Sequence, residues 1–296
     1  MKHFLGFWSF FSIFAICSNI VVVIARLCFQ KEVNAHSATV VVLALSDLCI
    51  AIGILITITY HLYYLETFSI IKLHWLKSTT CIVVGYISSS LSTANNALQV
   101  IIAVDRYRII RYPFSVMTGK VGMKKRCILI LVFILFAFIA KCPVLIKDSP
   151  LLINGEMPSN VCLLNVHQTK VANKLLVIII FDELVLSIIS AIICLYFYIA
   201  MVVSLTCHKS IENSNVQTKR KFVIARLLAI IIYIKVFGIL ASSLLGNAIV
   251  MNFYFDINTN FYAYVSMLRI VLSSIINPFL HTLTTSLVCA KIGRKT

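Results

Sequence analysis

The chain has 296 residues, of which 60% are hydrophobic and 12% are charged, and its formal net charge is +16. Soluble domains contain roughly 45–50% apolar and about 25% charged residues, so this composition excludes an ordinary water-soluble domain and is typical of a membrane protein. The positive charge is dispersed over short segments between apolar runs, and we therefore predict no nucleic-acid partner.

Seven apolar runs are long enough to cross a hydrocarbon layer of about 30 Å as helices, each of which needs about 20 residues. Strands of a membrane barrel would be shorter, about 9–11 residues, and would alternate apolar with polar side chains. The sequence therefore predicts an all-α membrane protein that folds as a single seven-transmembrane helix bundle over residues 1–296. The predicted spans cover residues 4–29, 37–60, 79–106, 126–146, 171–206, 222–251 and 260–283, and a short tail covers 284–296.

The first run has an alternative interpretation as a secretory signal peptide, but its length and Asn19 favour a retained span. Most of the 26 basic residues lie at or near one set of loops, which includes segments 106–126 and 209–226. Cytoplasmic loops carry the positive excess in membrane proteins. We therefore expect the N-terminus outside and the C-terminus in the cytoplasm, with the basic loops against anionic membrane lipid.

Two of the ten cysteines stand out by position. Cys81 begins the third span, and Cys162 lies in the loop before the fifth, so both would face an oxidising compartment where a disulfide persists. A bridge between them would pin that loop over the bundle. Cys289 in the tail is a candidate for palmitoylation or a free thiol. Most of the others lie inside spans, where cysteine behaves as a small apolar residue.

Polar side chains recur along the third span at steps of three and four residues, which places them on one helix face. This face comprises Gly85, Ser88, Ser92, Asn95, Gln99 and Arg106. The polar candidates in other spans are Asn19, Asp47, Ser273, Ser274, Asn277 and Pro278. A lone intramembrane carboxylate such as Asp47 marks a functional site by default. We expect these groups to line an aqueous pocket; the alternative is that the small polar groups hold helices together.

A charged triplet, Asp105, Arg106 and Tyr107, stands where the third span reaches the membrane edge, and the seventh span contains an Asn-Pro pair. Seven spans with these two motifs resemble the rhodopsin-like G-protein-coupled receptors, and the resemblance covers nearly the whole chain. Further matches are Asn19 in CSNIVVV, Asp47 in LALSDL, and Cys81 with Cys162 as the family's extracellular disulfide.

The resemblance implies a switch at Arg106, which Asp105 holds in the resting state and which contacts a G protein when the inner helix ends part. Tyr196, in the fifth-span YFYI, resembles the tyrosine that swings toward that arginine. The resemblance also implies a bound sodium ion, because oxygen ligands suit a hard cation. Its expected ligands are Asp47, Asn95, Ser273 and Asn277.

The sequence departs from the family pattern at several positions. His281 replaces the tyrosine usual after the Asn-Pro pair, and the sixth span, LLAIIIYIKVFGIL, lacks the Cys-Trp-x-Pro motif. The fourth span lacks its tryptophan and the fifth its proline. Val271 stands where opsins have the lysine that binds retinal, so we expect no retinal. Ser88 stands where aminergic receptors have an aspartate, which argues against a simple cationic amine.

Charged residues inside spans are further candidates for ligand contact. Glu183 and Lys235 could form an interhelical ion pair, which is the usual arrangement of intramembrane charges. Arg269 is then the candidate to bind an acidic group on a ligand. Together with Ser88 and Ser92, these residues make up the predicted ligand pocket.

The predicted function is that of a plasma-membrane receptor that binds an extracellular small molecule or short peptide and signals to a heterotrimeric G protein. A chemosensory role is the first candidate. We predict no enzyme, because no nucleophile with a base, zinc spacing or phosphate loop occurs. One alternative is a divergent receptor that couples weakly and acts as a decoy or partner. Another is a seven-helix transporter or channel, against which the absence of inverted repeat halves argues.

Overall fold

The computed structural model describes residues 2–28, 35–64, 67, 71, 74–75, 78–111, 122–142, 172–207 and 271–278. Five helices occur in this part of the chain: α1 (Lys2–Cys28), α2 (Ala35–Tyr63), α3 (Thr79–Arg111), α4 (Gly122–Lys141) and α5 (Ala172–Cys207). Residues 271–278 form a further helical segment inside the predicted seventh span. The described residues contain no strand, which agrees with the all-α prediction. The predicted sixth span, 222–251, lies outside them.

Two helices of the described chain are long and apolar enough to cross a membrane by length and composition alone. They are Gly6–Cys28, with a mean hydropathy of 2.2, and Ala35–Tyr63, with a mean hydropathy of 2.6. The α3 helix does not meet this criterion, because serine and asparagine side chains interrupt its apolar sequence. Its polarity must therefore be satisfied by neighbouring helices.

The α3 helix extends beyond the predicted membrane edge. It begins at Thr79, continues past Arg106 and ends at Arg111, so it is about 50 Å long at 1.5 Å per residue. Arg108 and Arg111 occupy its last turn, where a positive charge interacts favourably with the exposed carbonyl end of the helix. The charged triplet thus lies within continuous helix rather than at its end.

The α2 and α3 helices each pack against three others: α3 contacts α2, α4 and α5, and α2 contacts α1, α3 and α4. One apolar cluster, which includes Val22, Val40, Leu98 and Ile130, joins the first four helices. A second cluster, which includes Trp8, Ile54 and Ile275, joins α1, α2 and segment 271–278. Large apolar side chains remain exposed on the outer faces, as a lipid-facing surface requires; Phe10 is 64% exposed and Ile139 is 71% exposed.

The α2 and α3 helices approach closely at Gly53. A Cβ atom at this position would lie 3.0 Å from Ser88 Oγ and 3.2 Å from Val84 Cγ1, which is tighter than ordinary van der Waals contact. Small residues at helix interfaces permit such close backbone approach within membranes. Gly53 and Asp47 both lie on α2, so the small size of Gly53 lets the polar face of α3 come close to Asp47.

Candidate functional site: a buried polar layer and the C-terminal end of α3

A buried polar layer is centred on Asp47, which is 2% exposed. Asn95 Nδ2 of α3 donates a hydrogen bond to Asp47 Oδ1 at 2.9 Å, and Asn277 Nδ2 donates to Asp47 Oδ2 at 2.6 Å. An ionised carboxylate only accepts hydrogen bonds, so both amides present their NH2 groups to it. Each carboxylate oxygen therefore has a charge-assisted bond, to a different helical element.

A second set of contacts extends this layer to α1. Ser274 Oγ donates to the backbone oxygen of Asp47 at 3.2 Å, and Asn19 Nδ2 donates to the backbone oxygen of Ser274 at 3.0 Å. Ser46 Oγ donates to Asn95 Oδ1 at 2.5 Å. The structure thus brings together Asn19, Asp47, Asn95 and Asn277, all of which the sequence singled out. Pro278 directly follows Asn277 and is buried.

The serine of the seventh-span segment that joins this layer is Ser274. It is 1% exposed and contacts both Asn19 and Asp47. Ser273, the serine that the family resemblance assigns to the sodium site, is half-buried instead. The reason is helical geometry, since consecutive residues point about 100° apart and only one of the two can face Asp47.

The chemistry of the layer suits a sodium ion, but its hydrogen bonds already occupy the carboxylate. Asp47, Ser274 and the buried Oδ1 of Asn19 offer oxygen atoms, and this Oδ1 has no hydrogen-bond donor among the described residues. The amides of Asn95 and Asn277, however, turn nitrogen toward Asp47. An ion at Asp47 therefore requires these amides to turn or to move away.

The C-terminal end of α3 carries the second part of the site. Asp105 forms an ion pair with Arg126 of α4, and His36 Nδ1 of α2 lies 3.7 Å from the same carboxylate oxygen. Arg106 Nη1 donates a hydrogen bond to Tyr198 Oη of α5 at 3.2 Å, and Arg106 is 2% exposed. The two charged residues of the triplet thus have partners on different helices.

The tyrosine that contacts Arg106 is Tyr198, and this corrects the assignment of Tyr196. Tyr196 is 66% exposed, whereas Tyr198 is 8% exposed. Two positions along a helix correspond to a rotation of about 200°, so the two rings point to nearly opposite sides of α5. Ser187 lies three turns before Tyr198, and its Oγ accepts a hydrogen bond from Asn96 Nδ2 of α3 at 3.0 Å.

Several residues of the site were missed from the sequence. Ser187 and Tyr198 lie 11 residues apart, about three helical turns, but on an apolar helix this spacing alone does not show which face packs against α3. His36 and Arg126 carried no signal in the sequence, since each lies near the end of its own helix and resembles an ordinary loop-flanking residue. Tyr107 packs its ring against Phe197, with centroids 5.6 Å apart.

The N-terminal half of α3 is joined to other parts of the chain at points that include Cys81 and Ser88. Cys81 is disulfide-bonded. Its predicted partner, Cys162, lies outside the described residues, so the identity of the pair stays a prediction. Ser88 is buried at the contact with Gly53 of α2, and Ser92 is half-buried. Ser88 therefore lies in a helix interface. On α4, Lys141 is fully buried.

The ligand-pocket candidates Lys235 and Arg269 lie outside the described residues, and so does the side chain of Glu183. His281 and the palmitoylation candidate Cys289 lie outside them as well. Their predicted roles stay predictions.

The profile of one known family, 7 transmembrane receptor (rhodopsin family), matches residues 18–281 of this chain. The chain belongs to the rhodopsin-like G-protein-coupled receptors. The matched region includes both parts of the site, from Asn19 to Pro278. The receptor is therefore a membrane protein of a signal-transducing family that is generally not enzymatic and that acts through extracellular ligands and G proteins. None of the curated proteins compared with the receptor matches it.

Proposed function

We propose that this receptor binds an extracellular small molecule or short peptide at the plasma membrane and signals to a heterotrimeric G protein through Arg106. The observation that carries the proposal is the buried hydrogen bond from Arg106 to Tyr198. It links the inner ends of α3 and α5, so relative motion of these helices must make or break it. The guanidinium of Arg106 is either bonded to Tyr198 or not, depending on the position of the helices, and a ligand can shift the balance between these two states.

The polar layer gives a route by which a ligand could bias this element. Asp47 is bonded to α3 and to segment 271–278, and Asn19 adds α1, so these elements share one hydrogen-bonded level. A ligand that displaces one of them changes the partners of a buried carboxylate, which is energetically costly. Such networks have discrete arrangements rather than a continuous range, as a switch requires.

Sodium binding at Asp47 belongs to this proposal. Asp47 would supply the charge, with Ser274 and Asn19 as neutral oxygen ligands, and the ion would compete with the amide donors. A ligand that binds only the folded state raises the melting temperature. We therefore expect a higher Tm of the purified receptor in sodium chloride than in choline chloride of equal ionic strength, and no difference for Asp47→Asn. An equal Tm of the wild type in both salts would exclude the ion.

The ligand class is proposed from charge. Intramembrane charges usually pair with one another, and Glu183 with Lys235 would form one such pair. Arg269 would then contact an acidic group, which makes a small acidic chemical cue our first candidate. Screening a library of small acids with a promiscuous G-protein reporter tests this assignment. An acid that activates Arg269→Ala with unchanged potency would contradict it.

The direct test of coupling compares wild type with Arg106→Ala in ligand-independent nucleotide exchange, at equal surface expression. Arg108→Ala is the matched control, because Arg108 is exposed on the same turn of α3 and carries the same charge. We expect exchange to be lost in Arg106→Ala and retained in Arg108→Ala. Equal exchange in wild type and Arg106→Ala would reject the proposed mechanism.

Two other outcomes correspond to the alternative functions. A receptor that reaches the cell surface without promoting nucleotide exchange, with or without ligands, would be a decoy or partner. Ion currents or solute flux that persist without a G protein would indicate a transporter or channel. The hydrogen bond between Arg106 and Tyr198 favours the coupled receptor over both, because neither alternative requires it.

A further inference from the structure

The carboxylate and the guanidinium at the inner end of α3 are divided between two sides of the helix. Asp105 is bound by Arg126 of α4 and lies near His36 of α2, whereas Arg106 donates to Tyr198 of α5. Neighbouring residues on a helix point about 100° apart and do not face each other. Asp105 therefore takes its cation from another helix rather than from the adjacent arginine.

The pair between Asp105 and Arg126 is largely shielded from water. Its side chains are 10% and 20% exposed, and the bond is charge-assisted. When one member of a buried ion pair is removed, the other remains as an uncompensated charge, which is strongly unfavourable. A carboxylate without Arg126 would therefore attract the next available cation. We take Arg106 as that cation, because it is always charged and its long side chain can rotate toward Asp105, whereas His36, 3.7 Å from the same oxygen, is a cation only when it is protonated.

We propose that Arg126 is a positioning residue of the switch: by binding Asp105, it leaves Arg106 directed at Tyr198 and so sets the basal activity of the receptor. Two guanidinium groups compete for one carboxylate, and Arg126 occupies it. The contact between α3 and α5 is therefore populated without a ligand. This inference rests on the proposed function, because it takes Arg106 as the group that transmits the signal.

The test measures ligand-independent nucleotide exchange in membranes that contain the full-length receptor at equal surface expression. Arg126→Ala is expected to lower exchange by about fivefold or more, the lower end of ordinary coupling between sites. Arg126→Lys should retain more of the wild-type nucleotide exchange than Arg126→Ala, since lysine keeps the positive charge but lacks the planar guanidinium group. Lys125→Ala is the matched control: it removes the same charge from the exposed neighbouring position and should leave exchange unchanged.

Asp105→Asn separates positioning from folding. Without the carboxylate nothing draws Arg106 away from Tyr198, so adding Arg126→Ala to this variant should change exchange by less than about twofold. The full fivefold loss in that background would overturn the inference. Unchanged or raised exchange in Arg126→Ala alone, with Arg106→Ala still inactive, would also overturn it and leave the proposed function intact. If Arg106→Ala matches wild type, the proposed function fails, and the inference fails with it.

Discussion

Arg106 of α3 and Tyr198 of α5 are joined by a buried hydrogen bond of 3.2 Å, although Asp105 lies directly beside Arg106 in the chain. The two residues are 92 positions apart in the chain and lie on different helices, so the hydrogen bond between them depends on the relative position of α3 and α5. A neutral phenol is a weaker partner for a guanidinium than a carboxylate is, so this contact can be exchanged for another at modest free-energy cost. That property suits a switch better than a permanent ion pair would.

Removing the hydroxyl of Tyr198 should weaken signalling without unfolding the receptor. In Tyr198→Phe the ring still packs against Ala103 and Met201, but the guanidinium of Arg106 loses an acceptor. A hydrogen bond to a charged group contributes about 1.5–3 kcal/mol, so we expect nucleotide exchange to fall by about tenfold or more. Tyr196→Phe is the control, because Tyr196 is exposed. An equal fall in both variants would contradict the assignment.

Removing either amide at Asp47 should destabilise the receptor. In Asn277→Ala, or in Asn95→Ala, one oxygen of a buried carboxylate loses a donor, which costs about 1–3 kcal/mol and more for a charged group. The measurement is the melting temperature of the purified protein in detergent. Ser92→Ala, a truncation at a half-buried position on the same helix as Asn95, should change Tm little. If Tm is unchanged in both asparagine variants, the layer does not hold the helices together.

Enlarging Gly53 should force α2 and α3 apart. Its first added carbon already meets Ser88 at 3.0 Å, and a leucine would need space that the interface does not have. Overpacking of this kind costs about 1–3 kcal/mol, so Gly53→Leu should lower Tm and surface expression. Gly6→Leu is the matched control, because nothing lies within 4 Å of a Cβ there. Both substitutions raise helix propensity, so the difference between their Tm values reports the contact of residue 53 with α3.

The disulfide at Cys81 should be needed for stability. Removal of a native disulfide typically costs about 2–5 kcal/mol, so Cys81→Ser is expected to lower Tm and to reduce receptor at the cell surface. Peptide mapping under non-reducing conditions should recover Cys81 linked to Cys162. Cys49→Ser is the control, since Cys49 is a free, exposed cysteine. Recovery of Cys81 linked to any other cysteine would refute the predicted pair.

Particular residues show how far the sequence could be read. Asn19, Asp47, Asn95 and Asn277 could be proposed because polar groups in apolar helices are costly and must face one another. Ser274 could not be separated from Ser273 in this way, nor Tyr198 from Tyr196. Each of those pairs differs only in helix rotation, and an apolar span that is hydrophobic on most of its surface does not reveal which side faces the bundle.

The sequence by itself determined that the receptor is an all-α membrane protein with a charged triplet at the end of its predicted third span. Run length and composition act locally, so they can be read without the fold. Only the tertiary structure decided that Asp105 pairs with Arg126 and that Arg106 turns to Tyr198. Those partners lie 21 and 92 residues away along the chain. These contacts depend on how each helix is rotated about its own axis, and a shift of one residue along a helix changes the direction of a side chain by about 100°.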